Sequence, residues 1–437
     1  MLSAQDAERL ILDLVTPLNA QQDVETIDLL SASGRILAAE VSGSLDFPHW
    51  DNSAMDGYAV RYDDVRGCHA DHPITLEIVE EIPAGYQPKV AIQPGQAARI
   101  LTGSMMPEGA DTIVIQEETQ REGDRVTILS APQPKAFVRH RAAFYRAGEP
   151  LLPAGISLAA PEIAVLATAQ CPSVTVYRRP RVAILSTGNE LVSPDEPLAP
   201  GQIVDSNQYA IASLVSAAGA EPVLMGIIPD QPEQLQQAIA NALSLADVVL
   251  SSGGVSVGDY DYVDRILADL GATIHVRSVA VKPGKPLTVA IFNPQDPAFP
   301  AQKDSLENDP AVPRSPLPTP HSPLLYFGLP GNPVSALVSF WRFVQPALRK
   351  LSGLAEGWHL TFIQGRSQQE LRSDGKRETY LWGRVELVDG VYEFQLAGGS
   401  HSSGNLINLA QTNALAIIPM GQTTIAAGEA VRIMLVR

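Results

Sequence analysis

The sequence predicts a multidomain α/β plus β chain: a central α/β domain on a parallel sheet, a β-rich inserted domain and a small C-terminal β-barrel. Strands and helices alternate from Arg181 onward, which indicates βαβ units with helices on both faces of the sheet. Before and after this region, short apolar runs separated by glycine and proline indicate strands and turns. The length of 437 residues also predicts two to four domains, at roughly 100–200 residues each.

The N-terminal part is predicted to contain one helix followed by many short strands. Apolar residues recur at helical spacing between residues 4 and 18, which predicts an amphipathic helix. From Gly34 to about Val138 the apolar runs shorten and alternate with turns, as expected of a small β-rich domain inserted into a longer unit. Within it, the segment DNSAMDGYAV (Asp51–Val60) is dense in polar turn formers and is predicted to be a loop.

The central domain is predicted from a regular succession of strands and helices. A buried strand at Val182–Leu185 is followed by a helix at Asn207–Ala218, which Gly219 closes. The further predicted strands are 222–228 and 247–251, and the further predicted helices are 232–243, 260–270 and 334–351.

A proline-rich segment interrupts this domain between Asn293 and Pro323. It holds nine prolines in 31 residues and little apolar mass, so it cannot offset its ordering entropy and is predicted to be a mobile loop. A proline-rich motif for a partner is the alternative. The apolar runs LTVAIF and LLYFGLP on either side of it are predicted to be neighbouring strands.

The C-terminal part, from about Trp358, is predicted to be all β. Five alternating runs follow one another there, and Asp389-Gly390 between two of them is a strong hairpin signal. A small barrel of about 80 residues fits this pattern.

Composition excludes several classes of protein. The net charge of −17 disfavours general binding of nucleic acid, whose phosphates would be repelled. No apolar run is long enough to span a membrane and the N-terminus does not resemble a signal peptide, so a cytoplasmic protein without membrane association is expected. Two cysteines, Cys68 and Cys171, cannot form a disulfide framework or a tetrahedral zinc site. They are expected to be two buried free thiols, with a single bridge as the alternative.

The glycine-rich turn SSGGVSVGDYDYVD carries the strongest chemical signal. Gly253, Gly254 and Ser256 follow a buried strand directly and precede a helix, an arrangement that lets backbone N–H groups approach a phosphate. Asp259 and Asp261 come next, and carboxylates beside a phosphate suggest Mg²⁺. Alternatively, these acids only cap the helix.

Two further turns are candidates for binding an anion. The stiff KPGKP turn presents Lys282 and Lys285 within a net-acidic chain, unless it is only a solvated loop. In LPGNPVSA, Asn332 is the expected N-cap and Pro333 the first helical residue, and capping alone would explain this motif. Glu190, in STGNEL, follows the first strand of the same sheet and is expected at its ligand-binding edge.

Six motifs taken together resemble one family. DNSAMDGYAV, ILTGSMMPEGADTIV, STGNEL, SSGGVSVGDYDY, KPGKP and LPGNPVSA occur in an order and at a spacing similar to those of molybdopterin molybdenumtransferases, a family that includes the C-terminal part of gephyrin. The resemblance implies a homodimer whose α/β unit is a molybdopterin-binding-like domain. It also implies a reaction in which adenylylated molybdopterin and molybdate give molybdenum cofactor and AMP, with Mg²⁺ required. The domains implied are an elongated linking domain at 1–45 and 146–178, a β-rich domain at 46–145, the α/β domain at 179–353 and the barrel at 354–437.

The resemblance also implies roles for individual residues. The polar active-site residues are Asp56, Thr102, Glu190, Asp230 and Asp261. Lys282, Lys285 and Ser335 lie at the molybdate end, where Arg384 and Ser402 of the C-terminal domain add to them. The remaining implied substrate contacts are Gly253, Gly254, Ser256, Gly331 and Asn332, and the implied metal ligands are Asp259, Asp261 and Glu190.

The chain departs from the family pattern at two places. In RHRAAFYRAGEP, Ala143 and Phe144 stand where an acidic residue is usual, and Asn189 stands where aspartate is usual. The first departure leaves open an alternative function, a catalytically impaired scaffold or carrier that binds the pterin.

Overall fold

The computed structural model describes residues 1–253, 260–296, 299–300 and 323–436, with residues 260–262 as backbone only. Gly254, Ser256, Asp259 and most of the proline-rich segment lie outside the described residues. Within the described parts, no helix is long and apolar enough to cross a lipid bilayer.

The N-terminal part is built around a six-stranded sheet in the order β7-β4-β6-β5-β9-β8. The strands flanking this sheet pair with each other, β1 with β12 and β2 with β11, so residues before and after it lie together. The first helix, α1, packs instead on the core of the α/β unit through Ala7 and Ile11. The helices are α1 (Ala4–Leu14), α2 (Tyr62–Val65) and α3 (Ala160–Thr168), and the strands are β1 (Val24–Asp28), β2 (Val41–Ser42), β3 (Asn52–Ser53), β4 (Gly57–Val60), β5 (Ile74–Ile82), β6 (Gln96–Ile100), β7 (Thr112–Ile115), β8 (Thr119–Glu122), β9 (Arg125–Ile128), β10 (Val138–Arg139), β11 (Pro150–Leu152) and β12 (Ser173–Tyr177).

One prediction for this part was wrong. The segment Asp51–Val60, predicted to be a loop, contains β4, a central strand between β6 and β7. All four residues of β4 are buried. A strand buried on both faces lacks the alternation by which strands are recognised in sequence. Cys68 and Cys171 are free thiols as expected, although only Cys68 is buried.

The central unit is a six-stranded sheet in the order β16-β13-β17-β21-β20-β18. The first four strands are parallel, as predicted, but β20 and β18 run antiparallel to their neighbours. Strands β20 and β21 are neighbours, as the runs beside the proline-rich segment predicted. The strands are β13 (Arg181–Thr187), β14 (Leu191–Val192), β15 (Ile203–Val204), β16 (Glu221–Ile228), β17 (Val248–Ser252), β18 (Ala272–Ser278), β19 (Val281–Lys282), β20 (Pro286–Phe292) and β21 (Leu324–Leu329), and the helices are α4 (Asn207–Ala217), α5 (Pro232–Leu245), α6 (Tyr260–Asp269), α7 (Pro333–Ser339) and α8 (Gln345–Leu351), with a π-helical turn at Phe340–Val344 between the last two.

The C-terminal part is a closed barrel of five strands, as predicted. Strand β24 pairs with both β25 and β26, which closes the ring β24-β25-β22-β28-β26. Asp389 and Gly390, both at positive φ, form the predicted hairpin turn between β24 and β25. The strands are β22 (Phe362–Ser367), β23 (Leu371–Arg372), β24 (Glu378–Val388), β25 (Val391–Leu396), β26 (Ala414–Ile418), β27 (Thr424–Ile425) and β28 (Ala430–Leu435).

The barrel and the α/β unit share one apolar core. Trp382 and Leu415 of the barrel belong to the same buried cluster as Phe340 and Val344 of the helical segment. A short ladder also joins the two units, because β19 pairs in parallel with the start of β24. This junction positions the largest cavity described below. The four domain boundaries stay predictions.

Candidate active site

A cavity of about 360 Å³ lies where the α/β unit meets the barrel. Five of the predicted substrate contacts line it: Lys282, Lys285, Asn332, Ser335 and Ser402. Its other lining residues are Pro283, Gly284, Pro286, Arg377, Thr379, Tyr380, Leu381, Trp382, His401 and Ser403. The structure therefore brings together turns that are far apart in the sequence.

The two lysines of the KPGKP turn differ in their ion pairing. Lys282 ends β19, and its Nζ lies 3.0 Å from Oδ2 of Asp374, an ion pair that is partly exposed. This hydrogen bond to Lys282 holds the pKa of Asp374 below its usual range. Lys285 is exposed and forms no ion pair with the described residues. Gly284 between them has φ +104°, and a Cβ there would lie 2.8 Å from Oγ of Ser339.

The start of α7 lines the same cavity. Asn332 occupies the N-cap position, but its side chain makes no capping hydrogen bond. The sequence therefore predicted the position correctly and the capping contact wrongly, and the Asn332 amide remains available at the cavity. Ser335 is 4% exposed and lines the cavity from the first turn of the helix. The backbone N–H of Val334 donates to the carbonyl of Ser403, which ties this turn to the barrel.

The sequence did not point to Arg377, which supplies a third cation to the cavity. Its Nη1 donates to the carbonyl of Val281 at 3.2 Å. Arg377 reaches the cavity because β19 pairs with the start of β24. This pairing joins distant segments of the chain, and no local sequence pattern reveals it. Thr379, His401 and Ser403 were missed for the same reason.

Arg384, which the resemblance placed at the molybdate end, lies elsewhere. It follows Trp382, which lines the cavity of the two lysines, by two residues along β24. It lines a separate cavity of about 320 Å³ on the barrel, where its Nη1 donates to Oε1 of Gln411 at 3.2 Å. Arg384 therefore lines a different cavity from the two lysines, although Trp382, two residues before it, lines theirs.

A second group of predicted residues lies at the carboxyl edge of the parallel strands. Gly253 follows β17 with φ +96°, and a Cβ there would lie 2.3 Å from the carbonyl oxygen of Thr187. A Cβ on Gly331 would come within 3.4 Å of the Gly253 Cα, so the two loops are in close approach. Asn207 joins them, because its Nδ2 donates to Oγ of Ser252 and to the carbonyl of Gly331.

Glu190 and Asp230 lie on adjacent loops at this edge. Asn189 N–H donates to Oδ2 of Asp230 at 3.3 Å, and Asp230 N–H donates to Oδ1 of Asn189 at 3.1 Å. These reciprocal bonds hold the two loops together through Asn189, the residue that stands where aspartate is usual in the family. The carboxylate of Glu190 lies over Gly188, where a Cβ would approach it to 2.7 Å. It makes no hydrogen bond or ion pair with other described residues.

Asp56 and Thr102 are paired on the N-terminal six-stranded sheet. Both the backbone N–H and the hydroxyl of Thr102 lie 2.7 Å from Oδ1 of Asp56. These two donors, the hydroxyl foremost, lower the pKa of Asp56. Within the described parts, no hydrogen bond links this pair to the residues of the α/β edge or of the cavity.

The predicted metal ligands can be compared with the structure only in part. Glu190 is described, Asp259 lies outside the described residues, and Asp261 is described as backbone in the first turn of α6. Asp264, further along α6, forms an ion pair with Arg277 at 2.6 Å. The described side chains contain no cluster of three metal-ligating residues.

Comparisons with known proteins cover almost the whole chain. Residues 2–169 match the model "MoeA N-terminal region (domain I and II)", residues 183–350 match "Probable molybdopterin binding domain" and residues 364–436 match "MoeA C-terminal region (domain IV)". A molybdopterin molybdenumtransferase of Nostoc sp. is 60% identical over 434 residues, which are 99% of this chain and 94% of the relative. The chain belongs to the molybdopterin molybdenumtransferase family.

Two more distant relatives agree with this assignment. The molybdopterin molybdenumtransferase of Haemophilus influenzae is 31% identical, with 94% of this chain and 93% of the relative covered. A crystal structure of the molybdopterin biosynthesis MoeA protein from Pyrococcus horikoshii OT3 is 27% identical, has a TM-score of 0.79 and covers 100% of both chains. This member of the molybdenumtransferase family is therefore a transferase, and its fold class is the one that the sequence predicted.

Proposed function

We propose that this transferase inserts molybdenum from molybdate into adenylylated molybdopterin, releases AMP and so forms molybdenum cofactor. The observation that carries the proposal is the cavity at the domain junction, which concentrates Lys282, Lys285 and Arg377 in a chain of net charge −17. Cations gathered in one cavity of an acidic protein favour a small dianion such as molybdate. The hydroxyls of Ser335 and Ser402 supply further donors to its oxygens.

The glycine loops at the sheet edge are proposed to hold the phosphate part of the substrate. A side chain on Gly331 would lie against Gly253, and a side chain on Gly253 would clash with the carbonyl of Thr187. Because glycine carries no side chain, the backbone at these two positions can approach a pyrophosphate closely. Glu190, Asp230 and Asp261 are proposed as polar residues beside it, with Asp56 and Thr102 as a further catalytic pair.

Mg²⁺ is proposed to bind beside the pyrophosphate. Glu190 offers a carboxylate with no partner among the described residues, and oxygen is the donor that Mg²⁺ prefers. Asp261 and Asp259 are the other proposed ligands. When bound, Mg²⁺ would neutralise charge on the pyrophosphate as AMP leaves.

An assay of AMP release tests the proposal. Purified protein with adenylylated molybdopterin, molybdate and Mg²⁺ should release AMP and form the cofactor, and Lys285→Gln should raise the molybdate concentration needed. The matched control is Lys89→Gln, an exposed lysine of the N-terminal sheet region, which should leave the reaction unchanged. Absence of AMP release at every molybdate concentration contradicts the proposal. Binding of molybdopterin without turnover, together with activity gained in Phe144→Glu, would support the scaffold alternative.

The metal ligand is tested by a pair of substitutions on α6. Asp261→Asn removes a charge at the start of the helix and should reduce AMP release in a way that added Mg²⁺ partly restores. Asp269→Asn removes an exposed carboxylate at the other end of the same helix and should have no effect. Equal effects of the two substitutions would count against Asp261 as a ligand.

We also propose a homodimer. An exposed aromatic patch, formed by Phe47, Trp50 and Phe144, lies near the N-terminal sheet, with 40%, 44% and 65% of each residue exposed. Phe47 and Phe144 contact each other with ring centroids 5.8 Å apart. Such a patch favours association with another protein surface. Sedimentation analysis should give twice the chain mass, and Phe144→Asp should weaken the dimer.

A further inference from the structure

A pair of aromatic rings in contact lines the cavity at the domain junction. The rings of Trp382 and His401 lie 4.8 Å apart, and both residues line the cavity. Trp382 is 1% exposed and His401 is half-buried, so the position of the histidine ring is fixed by packing. Neither residue was singled out by sequence motifs.

The hydrogen bonds of His401 determine which ring nitrogen carries its proton. Nε2 lies 2.9 Å from the carbonyl oxygen of Ala397. Because a carbonyl oxygen only accepts, Nε2 must carry the proton. Nδ1 is buried and has no hydrogen-bond partner among the described residues, and the same holds for the indole Nε1 of Trp382.

A neutral His401 is poorly suited to an anion. Its Nδ1 would present a lone pair, and an oxyanion also offers only acceptors. Protonation of Nδ1 converts the acceptor into a charged donor, while Nε2 keeps its bond to Ala397. Charge-assisted hydrogen bonds of this kind are among the stronger ones in proteins.

Other charged and titratable groups lie at or beside the cavity. Lys282, Lys285 and Arg377 are the lysines and arginine that line it. Burial keeps the hydroxyl of Tyr380 neutral by raising its pKa. Asp374, beside Lys282, stays ionised because that lysine lowers its pKa. Burial lowers the pKa of His401, so its ring is largely neutral at pH 7 when the cavity holds no anion.

We propose that His401 is a further substrate contact, whose Nδ1 takes up a proton when the oxyanion binds and donates a hydrogen bond to it. This inference rests on the proposed function, which places molybdate in the same cavity. It adds a residue that the family motifs do not include and assigns it a protonation step.

The proposal fixes the sign of a pH dependence. Anion binding favours the imidazolium, so affinity is highest at low pH and falls as pH rises through the pKa of His401 in the complex. Between the free and bound pKa values the dissociation constant should rise by up to about tenfold per pH unit. By reciprocity, molybdate should raise the pKa of His401 by the corresponding amount.

Titration of the full-length protein with molybdate alone tests the inference. The dissociation constant is measured by calorimetry from about pH 5.5 to about pH 8.5, a range that spans the ordinary titration of histidine. The wild-type protein should bind more weakly as pH rises. His401→Gln keeps a neutral donor at this place but cannot titrate, so its dissociation constant should not vary with pH. His69→Gln, at an exposed histidine of the N-terminal sheet region, is the matched control and should keep the wild-type slope.

A second readout follows the ring itself. In protein carrying ¹³C-labelled histidine, one resonance should titrate at higher pH after molybdate is added, and that resonance should be missing in His401→Gln. If the wild-type protein binds molybdate without a pH slope, or if His401→Gln retains the slope, the inference is overturned while the proposed function stands. If the wild-type protein neither binds molybdate nor releases AMP, the proposed function fails and the inference fails with it.

Discussion

Thr102 donates two hydrogen bonds to a single oxygen of Asp56, one from its backbone N–H and one from its hydroxyl, each at 2.7 Å. The two residues come from motifs 46 positions apart, and adjacent strands of the N-terminal sheet hold them together. Because both donors favour the ionised form, they lower the pKa of Asp56.

Thr102→Val should raise the pKa of Asp56 toward its ordinary value, because the hydroxyl is the foremost cause of the shift. An aspartate with a depressed pKa is ionised above that pKa, so the acid limb of the pH profile of AMP release should move to higher pH. Thr127→Val, which removes an exposed threonine hydroxyl on the same sheet, is the control. An unchanged acid limb in Thr102→Val would show that ionised Asp56 is not required.

Asp374→Asn should strengthen the binding of molybdate, because it frees Lys282 from an ion pair that neutralises it. The pair is partly exposed and screened by solvent, so the gain should be modest, at most roughly fivefold in the dissociation constant. Glu370→Gln, which breaks the ion pair with Arg372 on the barrel, is the matched control. Weaker binding in Asp374→Asn would mean that the carboxylate positions Lys282 rather than competing for it.

Arg377→Gln and Arg384→Gln should differ sharply. Loss of a charge-assisted contact costs about 1.5–3 kcal/mol, so Arg377→Gln should weaken molybdate binding by roughly tenfold or more. Arg384 lines the other cavity, and its replacement should change the dissociation constant by less than about twofold. Calorimetric titration of both variants with molybdate gives the two dissociation constants. A larger loss of affinity in Arg384→Gln than in Arg377→Gln would support Arg384 as the molybdate contact.

Gly253→Ala should destabilise the protein by about 1–3 kcal/mol, because φ is +96° and the new Cβ would clash with the Thr187 carbonyl. The control is Gly219→Ala, which has a similar φ of +86° but nothing within 4 Å of the added Cβ. Thermal unfolding should show a larger loss for Gly253→Ala, and the difference isolates the steric cost. Equal losses would indicate that only backbone strain matters.

Local patterns predicted most of the architecture. The succession from β13 to α6 was visible because each element carries its own periodicity and a glycine or proline boundary. Strand β4 was missed because burial on both faces removes alternation. The antiparallel pairing of β20 with β21 and β18 depends on connections that periodicity does not encode.

The candidate site was predictable where it is built from turns. Lys282, Lys285, Asn332 and Ser335 were named from motifs and Ser402 from the family resemblance, and all five line one cavity. Arg377 and His401 reach that cavity through strand pairing and packing between distant segments, which leave no trace in a local motif. Arg384, which the resemblance named, lines the second cavity, whereas Arg377, seven residues earlier, lines the first.

The short ladder between β19 and β24 has a mechanical consequence. Lys282 is hydrogen-bonded into the sheet of the barrel, whereas Lys285 directly precedes β20 of the α/β sheet. The two ammonium groups, three positions apart in the chain, are thus anchored to different bodies. A tilt of the barrel against the α/β unit would therefore change their separation, and with it the charge density that an anion meets.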